Sequence, residues 1–266
     1  GRGLRPLRLM ARDLAGRGAD DMSAIDTNRT PAEVRPLADA LNGLFLKVES
    51  ARRHEREVTA FAAHELRTPL AGLKVQAQVA MAATDPDVAK AALRQLLAAV
   101  DRTTRLVRQL LDAAQLDAAG EAPSLAEVDV GALVTETVEG MRTPPGVRTQ
   151  IDPGLRGYTL LADPEGLRLA VRNLHENAVQ HMVTGTVAWG ARPHGEGIVV
   201  RDEGPGIPEE ELPHVTTRFF RGRHKSETGS GLGLAIAEMA SRRSGLSLRL
   251  RNRTDRPGLE AEILPG

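Results

Sequence analysis

The 266-residue chain contains no cysteine. That excludes a disulfide framework, a thiolate nucleophile and a zinc–thiolate site. Aromatic residues make up only 2% of it, against 41% apolar residues in all. Alanine and leucine must therefore build the cores, a composition suited to helices and thin bundles more than to thick aromatic sandwiches. Lysine is confined to Lys47, Lys74, Lys90 and Lys225, so nearly every cation is an arginine. The 35 basic and 35 acidic residues cancel. This removes any overall pull toward nucleic acid or anionic lipid, and no nucleic-acid partner is expected. No run of about 18 apolar residues exists to span a bilayer, and no signal-peptide apolar core is present.

What is there falls into three zones. Residues 1–52 carry two short amphipathic stretches, Leu4–Leu14 and Pro31–Ser50, joined by a Gly/Asp/Ser/Thr-rich connector. Residues 53–118 predict two long helices broken at Asp85-Pro86-Asp87, with Asp85 as cap and Pro86 as first helical residue. In the second helix Leu93, Leu97, Val100, Thr104, Val107, Leu111 and Ala114 recur at alternating four- and three-residue steps, a heptad seam of the kind that packs helices into bundles. After the linker Gly120-Glu121-Ala122-Pro123, residues 124–266 change to Gly-rich turns, helical segments and short β-type runs (Gly197–Arg201, Leu246–Arg251, Leu259–Leu264), which predicts an α+β domain. The first residues enter a helical pattern with no cap before it, an opening expected of a segment from a longer chain.

Projected at about 100° per residue, the helix over 53–83 gathers Val58, Ala62, Leu66, Pro69, Leu73, Ala77 and Ala80 on one apolar face. His64 falls on the opposite side, Thr68 one turn later beside it, and Glu65 between. Pro69 lies inside the pattern and should kink or loosen this turn. A surface histidine is the bland alternative.

Farther on, Asp163 and Pro164 start a helix that runs to about Met182. Asn173, Asn177 and His181 form a polar stripe on it, either solvated or able to offer neutral oxygens to Mg²⁺. Asp202 ends a strand just before Gly204-Pro205-Gly206. There it can accept a hydrogen bond from an adenine amino group while the glycines let backbone approach the base. Gly229-Ser230-Gly231-Leu232-Gly233 opens a helix, where backbone N–H groups can cradle phosphates. Its spacing is G-x-G-x-G, not the G-x-G-x-x-G of dinucleotide folds, and no P-loop or protein-kinase motif set occurs. A zinc hydrolase is excluded, because His64-Glu65-x-x-Thr68 lacks the second His of H-E-x-x-H.

Taken together, four runs resemble sensor histidine kinases of two-component systems. Phe61-Ala62-Ala63-His64-Glu65-Leu66-Arg67-Thr68-Pro69-Leu70 is similar to the family's H-box and Asn173-Leu174-His175-Glu176-Asn177-Ala178 to its N-box. The runs at Asp202–Gly206 and Gly229–Gly233 are similar to its two glycine boxes. The resemblance covers about residues 53–266, and the first zone, with Pro6 and Glu33, resembles a HAMP linker. The resemblance implies His64 as phosphoacceptor, Glu65 orienting it and taking its proton, and Thr68 placing a water for dephosphorylation. It implies Asn177 as Mg²⁺ ligand. It makes Asn173, Asn177, His181, Asp202, Gly204, Gly206, Arg221, Gly229, Gly231 and Gly233 the ATP-binding residues, with Arg221 reaching the phosphates from a basic lid, Arg218–Thr228. Three positions depart from the family pattern. Thr216 stands at a usual Phe, Gln180 at a frequent phosphate-side Lys, for which Arg223 or Lys225 would compensate, and His175 at a usual Leu.

The expected architecture is multidomain: an all-α HAMP linker (1–52), a dimerisation and phosphotransfer hairpin (53–118) that pairs with a second copy as a four-helix bundle, and an α/β-sandwich ATP-binding domain of the GHKL type (124–266). The expected activity is autophosphorylation of His64 from Mg-ATP and transfer to an Asp of a response regulator, with phosphatase activity beside it. The chain would be a homodimer and the cytoplasmic portion of a bacterial inner-membrane receptor, whose transmembrane region lies N-terminal to it. The alternatives are a GHKL-type ATPase and a non-catalytic dimeric scaffold.

Overall fold

A computed structural model describes residues 5–18, 21–26, 34–118, 123–192, 196–222 and 229–266. The chain divides into two compact units, 1–68 and 69–266. In the first, helix α1 (Arg5–Gly16) precedes a connector whose described residues, 21–26, have no regular secondary structure. Ile25 in that connector donates its N–H to Asn42 Oδ1 (2.7 Å) and accepts from Asn42 Nδ2 (3.1 Å), so one amide side chain reproduces a strand-like pairing. Glu33 of the expected linker pattern lies outside the described residues.

Helix α2 spans Arg35–Ala82 without interruption. The expected separation near residue 52 between linker and hairpin is therefore not a break in secondary structure. The reason is local: residues 44–68 contain neither Gly nor Pro, and helix-forming Ala, Leu, Glu and Arg dominate. Pro69 lies inside the helix, where it withholds the N–H that the Glu65 carbonyl would otherwise accept. Asp85 Oδ1 accepts the Asp87 N–H (2.8 Å) and opens α3 (Pro86–Ala118).

The remaining chain forms a two-layer α/β domain. A five-stranded sheet runs in the order β2-β4-β5-β7-β6, with β2 (Val147–Ile151) parallel to β4 (Gly185–Ala191) and the other pairs antiparallel. β5 (Ile198–Arg201), β6 (Leu246–Asn252) and β7 (Leu259–Pro265) match the three expected runs to within a residue. A separate ribbon pairs β1 (Ala126–Asp129) with β3 (Thr159–Ala162). Period-two alternation turns Val187, Trp189, Ile198, Val200, Ala261 and Ile263 toward helices α4 (Val130–Glu139), α5 (Pro164–Gln180) and α6 (Gly233–Arg243), where all are buried. On the sheet's other face Glu260 and Glu262 are buried beneath arginines: Glu260 pairs with Arg201 and Arg251, and Glu262 with Arg192 and Arg249. Burial alone would raise the Glu260 carboxyl, but the two guanidiniums hold it below its ordinary value.

Helix α5 begins as expected. Asp163 accepts from the Glu165 N–H and Pro164 sits in the first turn. One turn in, Gly166 faces α6 so closely that a Cβ there would collide with Ser244 Oγ and come within 3.1 Å of the Ala240 carbonyl. That approach lets the two helices meet backbone to backbone beside the sheet.

His175 at the centre of α5 is wholly buried, and Trp189 Nε1 donates to its Nδ1 (3.2 Å). A planar ring thus fills the place of the family's usual Leu and gives the buried indole an acceptor. Desolvation lowers its pKa to about 4. In the unfolded chain histidine titrates near its ordinary value, about 6.5, so between these values the unfolded state binds more protons and stability falls as pH drops. The expected loss by pH 4 is on the order of 3 kcal/mol. Urea unfolding should show a falling midpoint for the wild type below about pH 6.5. The His175→Leu variant should lose much less over the same interval, although it starts less stable because Trp189 is left without its acceptor.

Candidate functional site

Two groups of candidate residues emerge, one in each unit. On α2, His64 and Thr68 are exposed and Glu65 is half-buried, the orientation expected from the helical projection. They lie on the turn that leads into Pro69.

The second group lines a cavity of about 630 Å³, within the range of small-ligand pockets, about 300–1,000 Å³. Its walls include Asn173, Asn177, His181, Asp202, Gly206, Arg221, Gly229, Gly231 and Gly233. The structure thus gathers nine of the ten expected nucleotide residues. Gly204 is not in the wall. It sits buried behind Asp202 and donates its N–H to Asp202 Oδ1 (2.9 Å). Arg223 and Lys225 of the expected lid lie outside the described residues.

Asp202 is placed by its surroundings rather than by its own flexibility. Oδ1 also accepts the Leu259 N–H (3.0 Å), and the Asp202 carbonyl accepts from Arg253 (3.1 Å). Burial pushes its carboxyl up, against those two amide hydrogen bonds and the nearby His181 and Arg253. The turn after it is pinned from β6: Asn252 Oδ1 accepts the Ile207 N–H (2.8 Å) and Asn252 Nδ2 donates to the Ile207 carbonyl (2.6 Å).

At the other end, Gly231 takes φ +68°, and a Cβ there would strike the backbone of Phe219 and Phe220. Phe219 itself has φ +66° and donates its N–H to the Gly231 carbonyl (3.0 Å). A non-glycine residue held at positive φ beside a binding loop is strain maintained by its neighbours. The loop's last glycine opens α6, so its amides sit at a helix N-terminus.

Asn173 is 1% exposed. Its Nδ2 donates to the Leu169 carbonyl (2.9 Å), but its Oδ1 has no partner among the described residues. The expected stripe is therefore graded, with Asn173 buried, Asn177 half-buried and His181 exposed. Gln180, in the pocket wall, also keeps a buried Nε2 without a partner among the described residues. An orphaned amide oxygen next to Asn177 suits a hard cation that takes few protein oxygens and keeps its waters, and an orphaned N–H suits a phosphate.

Sequence reasoning missed Gln109, Asn252 and Gly258. Gln109 belongs to α3 yet lines the pocket; nothing in its spacing separates it from a solvated polar residue. A Cβ on Gly258 would collide with the Asp202 carbonyl, a contact visible only once β5 and β7 pair. Replacing Asn252 by Ala should cost about 2 kcal/mol of stability, since it leaves a half-buried N–H and C=O unpaired. It should also weaken binding of a fluorescent ATP analogue. Urea unfolding and titration would check both.

Three family models match in order along the chain: a PhoQ-like sensor-protein HAMP domain at 4–47, the His Kinase A phospho-acceptor domain at 54–119, and the histidine kinase-, DNA gyrase B- and HSP90-like ATPase at 162–263. The sensor protein QseC of Salmonella typhi is 38% identical over 98% of this chain and 59% of its own length. The sensor protein kinase PmrB of Pseudomonas aeruginosa is 32% identical over 98% of this chain and 56% of its own. The chain thus spans a little over half the length of these relatives. Among solved structures, the Acinetobacter baumannii histidine kinase AdeS matches with TM-score 0.55 and 20% identity, over 76% of this chain and 97% of that one, a likeness of fold. With linker, phospho-acceptor and ATPase modules in one order and their motifs in place, the chain belongs to the sensor histidine kinases of bacterial two-component systems.

Proposed function

We propose that the chain moves the γ-phosphoryl group of ATP to His64 and then to an aspartate of a response regulator. One observation carries the reading. A chain with an exposed histidine in the run Phe61–Leu70 also holds Asn177, Asp202 and the Gly229–Gly233 loop around a single nucleotide-sized cavity. Asp202 accepts the adenine amino hydrogen, the glycine loop and Arg221 meet the phosphates, and Gln180 offers its unpaired N–H to them. Asn177, with the free oxygen of Asn173 behind it, would hold Mg²⁺, which neutralises phosphate charge when bound.

A ring nitrogen of His64 attacks the γ-phosphorus while the bond to the β-phosphate's bridging oxygen breaks, and ADP leaves with that bonding pair. Glu65 takes the imidazole N–H proton. Thr68 places the water that hydrolyses the regulator's phosphoaspartate, giving the accompanying phosphatase activity.

A homodimer fits the exposed seam. Leu93 (51% exposed), Leu97 (63%) and Leu111 (59%) lie open on the single chain, and a second hairpin covering them completes a four-helix bundle. None of the helices, over the described residues, is long and apolar enough to cross a membrane. The proposed setting is the cytoplasmic portion of a bacterial inner-membrane receptor, as the sensor-protein relatives and the HAMP match support.

Hydrolytic GHKL ATPase action is the weaker alternative. It needs a carboxylate base one turn before the metal-binding Asn, where this chain has the amide Asn173. A catalytically silent scaffold would not be expected to keep Asn177, Asp202 and the glycine loop. With γ-labelled ATP and Mg²⁺, the wild type should take up acid-labile, base-stable label that His64→Ala and Asn177→Ala both abolish. Phosphate release without protein label would establish the ATPase, and neither product the scaffold.

A further inference from the structure

Helix α3 carries two opposite faces. At about 100° per residue, the apolar seam through Val107 and Leu111 lies on one side, and Arg108, Gln109, Asp112, Ala113, Leu116 and Asp117 spread across the other. That second side is seated on the ATP domain. Arg108 pairs with Glu176 and Asp112 with Arg172, both on α5, and Arg218 forks onto Asp117 with one arm at 2.6 Å. Ala113 is buried and Leu116 packs on the domain core.

Gln109 is the member of this face that enters the pocket. It is 7% exposed and lines the same cavity as Asp202 and the glycine loop. Ser230 Oγ accepts the Leu232 N–H (3.2 Å) and donates its own proton to Gln109 Oε1 (2.7 Å). The carboxamide is therefore oriented: its oxygen is used by Ser230, and its NH₂ group is turned toward the start of α6, 3.7 Å from where a Cβ on Gly233 would stand. Two N–H donors are thus fixed at the end of the pocket where the loop amides converge. The cavity remains about 630 Å³ with Gln109 in place, so the side chain is part of the wall and not a plug.

We propose that Gln109 of α3 is a positioning residue for the nucleotide's phosphates, and that through it ATP binding and the seating of α3 on the ATP domain strengthen one another. The inference rests on the nucleotide reading of the pocket. The docked helix completes the phosphate end of the site, so nucleotide binds the docked arrangement better than the undocked one. By linkage, nucleotide must favour docking by the same factor.

The test uses the full chain, Mg²⁺ with a non-hydrolysable ATP analogue, and adenosine as a phosphate-free comparison, by calorimetry. Gln109→Ala should bind the analogue about tenfold more weakly, the worth of a hydrogen bond to a charged group, with adenosine affinity unchanged. Gln109→Glu, of the same shape but without the donors and with added negative charge, should lose more. Asp112→Asn, which does not touch the pocket, should also weaken the analogue by loosening α3. In hydrogen exchange, amides of residues 105–117 should gain protection with the analogue in the wild type but not in Gln109→Ala. Wild-type binding with an unchanged Gln109→Ala affinity overturns the proposal, and an equal loss for analogue and adenosine reduces Gln109 to a structural wall. A wild type that binds neither compound overturns the nucleotide reading itself.

Discussion

The ATP domain depends on how closely α5 can approach α6. At Gly166 there is no room for a Cβ against Ser244 and the Ala240 carbonyl, and Ser244 Oγ is itself fixed by a hydrogen bond to that carbonyl (2.8 Å). Everything in the pocket is referred to this crossing. α5 carries Asn173, Asn177 and Gln180 along one wall, and α6 presents the glycine loop from its first residue. Widening the crossing by a methyl group would part the amide oxygens on α5 from the loop amides on α6, because close-packed interiors pass strain on instead of absorbing it.

The sheet answers the same constraint from below. Helices cover one face only, and aromatic side chains are few, so a single Trp189 with His175 fills the space that several rings fill in thicker domains. The opposite face is closed by charge: Glu260 and Glu262, nearly inaccessible on β7, lie under four arginines from β5, β6 and the end of β4. Desolvating two carboxylates is costly on its own, and the surrounding guanidiniums, with their stems spread over the strands, offset it.

Much of this was legible beforehand because it is local. The caps at Asp85 and Asp163, the three β runs, the outward His64 and the glycine-rich opening of α6 are all decided by residues within a few positions of one another. The pocket lining followed because its contributors sit at strand and helix ends with recognisable chemistry. What escaped was non-local or a matter of degree. The unbroken course of α2 past residue 52 reflects a missing breaker, which a search for boundaries overlooks. The support of Asp202 by Leu259 and Arg253, of the turn after it by Asn252, and the room left at Gly258 depend on strand pairing over about fifty residues. Gln109 looks like any polar residue on a helix until its helix is laid against another domain.

The joint between α3 and the ATP domain combines partly exposed ion pairs and one amide with the apolar contacts of Ala113 and Leu116. Each such pair contributes little by itself. Dissolved ions weaken them, over a screening length of about 8 Å at physiological ionic strength. Parting that joint returns charged groups to water that readily receives them. How firmly the helix is held against the domain therefore follows the ionic strength around the protein, because the charged part of its seat weakens as salt rises.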